Sequence, residues 1–204
     1  GFLAIPVFTR ILNPSDYGLV AIFTSLVIVF EILMELNSRG AISRYYYEET
    51  DDFPQFLGTN LIFICGVNVA AIAVLSTVGP FFSEWIGINY MVFILALVSA
   101  SATVFSNLYL AYLRATQSSR EFAFFNVIRN ALILLLGIVL VLLLQQDKYL
   151  GRIYAQVGIA ASFSLYALTR LLSKAKLCFV WKYIKYLLFF DLPLIPHALS
   201  GFLL

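Results

Sequence analysis

The sequence is poor in charge. Only 12% of its 204 residues are Asp, Glu, Lys or Arg, against ~25% in an average soluble domain. So few charged side chains cannot cover a soluble fold of this length with a polar surface. Hydrophobic residues make up 62% of the chain, which also excludes a disordered protein. The composition therefore predicts an all-α, polytopic membrane helical bundle, provided that the apolar residues fall into long runs.

Residues suited to catalysis or metal binding are also scarce. The single histidine, His197, has no Ser or Cys partner at a recognisable spacing, and Cys65 and Cys178 lie at different predicted depths. The sequence contains neither glycine-rich nucleotide motif, and it has no HExxH or Cys/His cluster. We therefore expect no metal, no cofactor and no ATP-driven or hydrolytic activity. A membrane transferase that uses scattered carboxylates and arginines stays open.

Long apolar runs supply the membrane-spanning segments. Five complete spans are predicted at residues 19–36, 56–82, 91–113, 122–144 and 153–172. Residues 1–8 have the composition of the second half of a first span, and a seventh span begins near Leu187. We therefore expect a fragment, with an N-terminal lobe of six helices over 1–172, an amphipathic cytoplasmic linker over 173–186, and the start of a seventh helix over 187–204.

The distribution of Lys and Arg predicts the orientation of these spans. The predicted loops at 37–55, 114–121 and 170–186 carry nine basic residues, and the opposite loops at 9–18, 83–90 and 145–152 carry three. Because basic loops stay in the cytoplasm, the first set is expected there. The incomplete first helix would then enter from the cytoplasm, in a multi-pass protein of the inner (plasma) membrane.

Ionisable residues inside the spans are the candidate functional positions, because a charge at mid-bilayer costs ~2.5–3.5 kcal/mol. Glu31, Glu35 and Arg39 follow one another at intervals of four, so on one helix they would form a stripe. Either carboxylate could take up a proton for ion coupling, and Arg39 could hold an anionic headgroup. The alternative is a Glu35–Arg39 pair that neutralises itself. Arg129 either reaches the headgroups or faces a cavity.

The last segment suggests a broken helix. Pro193 and Pro196 each remove a backbone donor from an apolar run, and Asp191 and His197 flank them. Transporters use such breaks near the substrate path, so Asp191 and His197 join the candidates for ion coupling. A plain helix start, with both prolines in the first turn, is the alternative.

Three segments together resemble one family of membrane transporters. They are residues 9–19 (TRILNPSDYGL), 39–48 (RGAISRYYYE) and 192–201 (LPLIPHALSG). In this order they resemble elements of the polysaccharide flippases in the multidrug/oligosaccharidyl-lipid/polysaccharide exporter superfamily, particularly the O-antigen repeat-unit flippases of lipopolysaccharide biosynthesis.

The resemblance implies about twelve helices in two six-helix lobes around a central cationic cavity. Such a protein moves undecaprenyl-diphosphate-linked oligosaccharide across the bacterial inner membrane by alternating access, driven by an ion gradient or the membrane potential. It implies no enzyme activity. Arg39, Arg44 and Arg129 are then expected to line the diphosphate path. Expected partners are the lipid-linked oligosaccharide, membrane lipids, the second lobe and other polysaccharide-assembly proteins, with no nucleic acid.

Two further functions stay open. A cation-coupled multidrug exporter of the same superfamily would favour an acidic, aromatic cavity, and Glu31 is the feature that favours it. A membrane enzyme of polysaccharide assembly would normally carry a large extracytoplasmic loop, and the predicted loops on that side are short.

Overall fold

The computed structural model describes residues 4–48 and 51–191, and its regular structure there is entirely helical. Eight helices follow one another along this part of the chain. They are α1 (Ala4–Ile11), α2 (Pro14–Glu35), α3 (Ser38–Glu48), α4 (Phe53–Ile86), α5 (Tyr90–Ala115), α6 (Ser119–Leu143), α7 (Lys148–Leu172) and α8 (Trp181–Asp191).

Five of these helices, α2, α4, α5, α6 and α7, are long and apolar enough to cross a membrane. Each coincides with a predicted span, so the prediction of a polytopic, multi-pass helical bundle is confirmed. Helix α4 has 34 residues and is therefore about 51 Å long at 1.5 Å per residue. That length exceeds a hydrocarbon core of ~30 Å, so α4 must tilt or extend into the interface.

Helix α5 is the centre of the bundle. It packs against α2, α3, α4, α6 and α7, and it is the most buried of the five candidate spans, whereas α6 is the least buried. Small residues such as Ala96, Ser99 and Ala100 are fully buried on α5, which lets neighbouring backbones approach closely.

A proline inside α4 is accommodated by a side chain of α5. Pro80 has no backbone N–H, so the carbonyl of Ser76, one turn earlier, loses its helical donor. The hydroxyl of Tyr90 donates a hydrogen bond to that carbonyl at 3.0 Å. Gly79 lets α4 lie close to α5 at this point, because a Cβ there would be 2.9 Å from the rings of Tyr90 and Phe93.

The predicted loop over 37–55 is wrong in part, because it contains α3. Leu36 and Asn37 both have positive φ angles, 48° and 60°, so the chain turns sharply after α2 and starts a new helix. Helix α3 packs against α5, α4 and α8 and buries Ala41, Ile42 and Tyr45. These tertiary contacts stabilise a helix of 11 residues that is too polar and too short to register as a span.

The segment between α7 and α8 is tied to the start of α4. The amide of Lys176 donates to the carbonyl of Pro54 at 2.8 Å, and the Thr59 hydroxyl donates to the carbonyl of Cys178 at 2.8 Å. Helix α8 then packs on α3 and α4, and it continues without a break across Leu187. Residues 174–180, the connecting segment, are therefore fixed to the bundle.

Candidate functional site

A polar cavity lies between the largely apolar helices α2, α5, α6 and α7. Its volume is about 190 Å³. Every one of the four helices contributes at least one polar side chain. These are Thr24 and Glu31 from α2, Thr103 from α5, Arg129 and Asn130 from α6, and Arg152 and Gln156 from α7. Residues four or seven apart lie on the same face of a helix. Lining residues at these spacings therefore show that α2, α6 and α7 each direct one face to the cavity.

Glu31 is the carboxylate of the cavity. The amide nitrogen of Asn107, on α5, donates to Glu31 Oε1 at 2.7 Å. The charges of Arg39 and Arg129 both act on the same carboxylate. One hydrogen bond and two nearby cations therefore hold Glu31 in an apolar bundle, as a charged side chain at this depth requires.

Two arginines line the same cavity as Glu31. Arg129 comes from α6 and Arg152 from α7. Within the described residues, Arg129 Nε and Arg152 Nη1 are buried and make no hydrogen bond, while the guanidinium of Arg152 lies 5.3 Å from the ring centre of Phe8. Guanidinium groups bind phosphate and carboxylate oxygens through paired N–H donors. The cavity is therefore net positive, with donor capacity left for an anion.

Glu35 and Arg39 form the self-neutralising pair that was the alternative interpretation of the sequence. Arg39 Nε lies 3.1 Å from Glu35 Oε1, with Glu35 buried and Arg39 half-exposed. The expected continuous stripe ends at Glu35, because α2 ends there and Arg39 belongs to α3. Arg39 nevertheless stays within electrostatic range of Glu31, next to the polar cavity rather than in its lining.

Arg44 is not brought to the cavity. Its Nε lies 2.6 Å from Glu48 Oε1 on the same helix, and the hydroxyl of Tyr186, on α8, donates to Glu48 Oε2 at 2.6 Å. The hydrogen bond from Tyr186, and then that from Arg44, lower the pKa of Glu48 below its usual value. The same hydrogen bond from Arg44 to Glu48 raises the pKa of Arg44. This cluster joins α3 to α8.

Comparison with known proteins adds nothing to this picture. No protein-family model, curated protein or solved structure matches the chain. The polar cavity and the resemblance of the three sequence segments are therefore the two observations that bear on function.

The remaining candidates from the sequence lie at or beyond the end of the described chain. Asp191 is the last residue of α8. Pro193, Pro196 and His197 lie outside the described residues. Their roles in a helix break or in ion coupling stay predictions.

Sequence reasoning missed Arg152. It assigned this residue to a loop over 145–152, because the uncharged run starts at Ile153. That assignment is wrong, since α7 begins at Lys148 and carries Arg152 into the bundle. The available signal was its spacing of four from Gln156, which puts two polar side chains on one face of a helix. Asn107 and Thr103 show the same spacing on α5.

Proposed function

We propose that this chain is the N-terminal lobe of a flippase that moves undecaprenyl-diphosphate-linked oligosaccharide across the bacterial inner membrane by alternating access. The observation that supports the proposal is the net-positive polar cavity between α2, α5, α6 and α7. A diphosphate cannot enter an apolar bundle without cations that offset its charge. The resemblance of residues 9–19, 39–48 and 192–201 to flippase elements is the second support.

In this proposal Arg129 and Arg152 bind the diphosphate oxygens. Arg39 is a further cation at the edge of the path, and Asn107 fixes the orientation of Glu31. Glu31 offsets part of the positive charge that the two arginines bring to the cavity. Flipping breaks no covalent bond, so the lobe needs binding groups and two conformations rather than a nucleophile.

The size of the cavity limits what it can hold. Its volume of about 190 Å³ is smaller than the ~300–1,000 Å³ of typical ligand pockets. We therefore assign it to the diphosphate alone. The oligosaccharide would occupy the space between this lobe and a second lobe of six helices, giving a protein of about twelve helices.

Replacing Arg129 tests the proposal. The protein is expressed from its complete reading frame in its own bacterium, with the chromosomal copy replaced, and surface polysaccharide is measured by gel electrophoresis and immunoblotting. Arg129→Ala removes a buried charged donor worth ~1.5–3 kcal/mol. The display of polysaccharide on the cell surface should therefore fall at least about tenfold. Arg129→Lys should keep part of it, because the charge remains.

Arg120→Ala is the matched control, since Arg120 lies in the first turn of the same helix and is exposed. It should leave display unchanged, and both variants should reach the membrane in equal amounts. Normal display with Arg129→Ala, or normal display after deletion of the gene, would contradict the proposed function.

A second candidate function has one observation in its favour. The hydrogen bond of 2.7 Å from Asn107 to Glu31 holds a carboxylate ready inside the cavity, and a cation-coupled multidrug exporter would need such a group. The two arginines of the cavity favour the flippase.

A further inference from the structure

A second concave feature of the bundle has a lining that shares no residue with the polar cavity. It is a groove of about 350 Å³ between α5, α6 and α7. Its walls are mainly aromatic, and they include Tyr109, Phe124, Phe125, Phe163 and Tyr166. We call it the aromatic groove. Its volume falls within the ~300–1,000 Å³ typical of pockets that bind small molecules.

The walls of the aromatic groove are held in place by ring-on-ring packing. Phe125 packs edge-on against Phe163, with ring centres 5.0 Å apart. Tyr109 packs edge-on against Phe125 at 5.3 Å and against Tyr166 at 6.0 Å. Such edge-to-face pairs are favourable geometries for aromatic rings. The groove is therefore preformed and does not depend on an occupant to open it.

A pair of opposite charges stands at one end of the aromatic groove. Arg170 Nη2 lies 3.7 Å from Glu121 Oε2, and both side chains are about half exposed. Tyr109 donates to the same oxygen of Glu121 at 3.3 Å. The separation of 3.7 Å exceeds the ~2.7–2.9 Å of a charge-assisted hydrogen bond. The two charges are therefore adjacent without a short direct hydrogen bond, and Arg170 also interacts with the Tyr109 hydroxyl.

The position of this charged pair sets it at the membrane surface. Glu121 lies in the first turn of α6 and Arg170 in the last turn of α7, and both helices are long enough to span the bilayer. The groove runs from this end along α6 to Ile128, about 10 Å deeper at 1.5 Å per residue. The aromatic groove thus leads from the level of the headgroups into the hydrocarbon core.

We propose that the aromatic groove binds one zwitterionic phospholipid with a primary ammonium headgroup, of the phosphatidylethanolamine type. One acyl chain lies along the aromatic walls, the ammonium group contacts Glu121, and the phosphate contacts Arg170. A lipid that carries both charges complements two adjacent side chains of opposite sign. A purely anionic lipid would match Arg170 but would meet repulsion from Glu121. The ring of Tyr166 offers the ammonium a further cation–π contact.

A nearby groove provides an internal comparison. It lies between α4, α5 and α7, has a volume of about 310 Å³, and is lined by Ser101, Phe105, Ser164 and aliphatic residues without a charged side chain. An acyl chain can enter this uncharged groove, but nothing there distinguishes one headgroup from another. Headgroup selection should therefore belong to the aromatic groove alone.

Lipid titration followed by native mass spectrometry tests the proposal. The protein, purified from its complete reading frame in detergent, is titrated with phosphatidylethanolamine and with phosphatidylglycerol of identical acyl chains. One phosphatidylethanolamine should bind about threefold or more tightly than phosphatidylglycerol, the ratio that one exposed ion pair can supply. Glu121→Gln, which keeps the shape of the side chain, should bring the ratio to about one.

A serine-to-phenylalanine substitution in each groove distinguishes lipid binding at the two sites. Ser162→Phe blocks the aromatic groove, because Ser162 lies in its wall, and should remove the selective binding event. Ser101→Phe blocks the uncharged groove and should leave it intact. The proposal is overturned if the wild type binds both lipids equally, if Glu121→Gln keeps the preference, or if Ser101→Phe has the effect expected of Ser162→Phe. The outcome is independent of polysaccharide display.

Discussion

At the residue scale, the hydroxyl of Tyr90 replaces the backbone donor that Pro80 removes from α4. The hydrogen bond to the Ser76 carbonyl should contribute about 1 kcal/mol to the free energy of unfolding. We therefore expect Tyr90→Phe to lower that free energy by about 1 kcal/mol. Chemical unfolding of the purified protein in detergent, followed by circular dichroism, measures the change.

The same substitution in a Pro80→Ala background is the decisive comparison. An alanine at that position supplies a backbone N–H to the Ser76 carbonyl, so Tyr90→Phe should cost close to nothing there. The double-mutant cycle then gives a coupling energy of about 1 kcal/mol between the two positions. Equal costs in the two backgrounds would show that the hydroxyl does not serve this carbonyl.

The sequence predicted the positions of some candidate site residues correctly and those of others wrongly. Glu31 and Arg129 stand out because each interrupts an apolar run, and both lie at the polar cavity. Arg44 interrupts no such run, and the structure places it on the surface of α3 with Glu48. Arg152 was not predicted to lie at the site. Hydropathy places the start of a span at the first uncharged residue, whereas α7 begins four residues before Arg152.

At the element scale, Gly58 is the point where the connecting segment lies on α4. A Cβ at Gly58 would be 2.1 Å from the carbonyl oxygen of Lys176, and backbone cannot yield as a flexible side chain can. We expect Gly58→Ala to displace residues 174–180 and to lower the free energy of unfolding by about 1–3 kcal/mol, the usual cost of overpacking. Thermal unfolding measures this, and faster tryptic cleavage after Lys174 and Lys176 reports the displacement.

Gly66→Ala is the control on the same helix. Nothing lies within 4 Å of a Cβ built at Gly66, so alanine adds only its helix propensity, up to ~1 kcal/mol of stabilisation. Cleavage after Lys174 and Lys176 should stay as slow as in the wild type. If the two glycine variants behave alike, the close approach at Gly58 does not hold the segment.

The elements that the sequence predicted well are those whose hydrophobic pattern suffices to specify them. The five spans are long uncharged or nearly uncharged runs, and each helix starts one to five residues before the predicted span. Helix α3 and the connecting segment depend instead on tertiary contacts, with α5 and α8 for α3 and with Pro54 and Thr59 for the segment. Periodicity within one segment does not contain that information.

At the scale of the whole molecule, the polar cavity lies towards the edge of the described bundle. Helix α6 is the least buried of the candidate spans, yet it supplies Arg129 and Asn130 to the lining. Asn130 is itself exposed. A cavity bounded by a peripheral helix is accessible from the side of the lobe. This placement suits a site that a second lobe would complete, as the proposed function requires.

The charge of the cavity separates the two candidate functions. Glu31→Gln keeps the size of the side chain and its acceptor for Asn107 while making the cavity more positive. Asn107→Asp makes the opposite change, because it adds a carboxylate next to Glu31. A diphosphate site should tolerate the first variant and fail with the second. A site for cationic drugs should do the reverse, since it depends on negative charge.

For the flippase we therefore expect surface polysaccharide within about twofold of wild type with Glu31→Gln, and at least about tenfold less with Asn107→Asp, the effect of ~1.4 kcal/mol. Cells carrying each variant are compared for surface polysaccharide and for the minimum inhibitory concentration of cationic dyes. Because the two substitutions alter neighbouring side chains, a general loss of folding would reduce both outputs in both variants. Loss of display with Glu31→Gln together with retention in Asn107→Asp would contradict the diphosphate site, and a parallel change in dye resistance would favour the exporter.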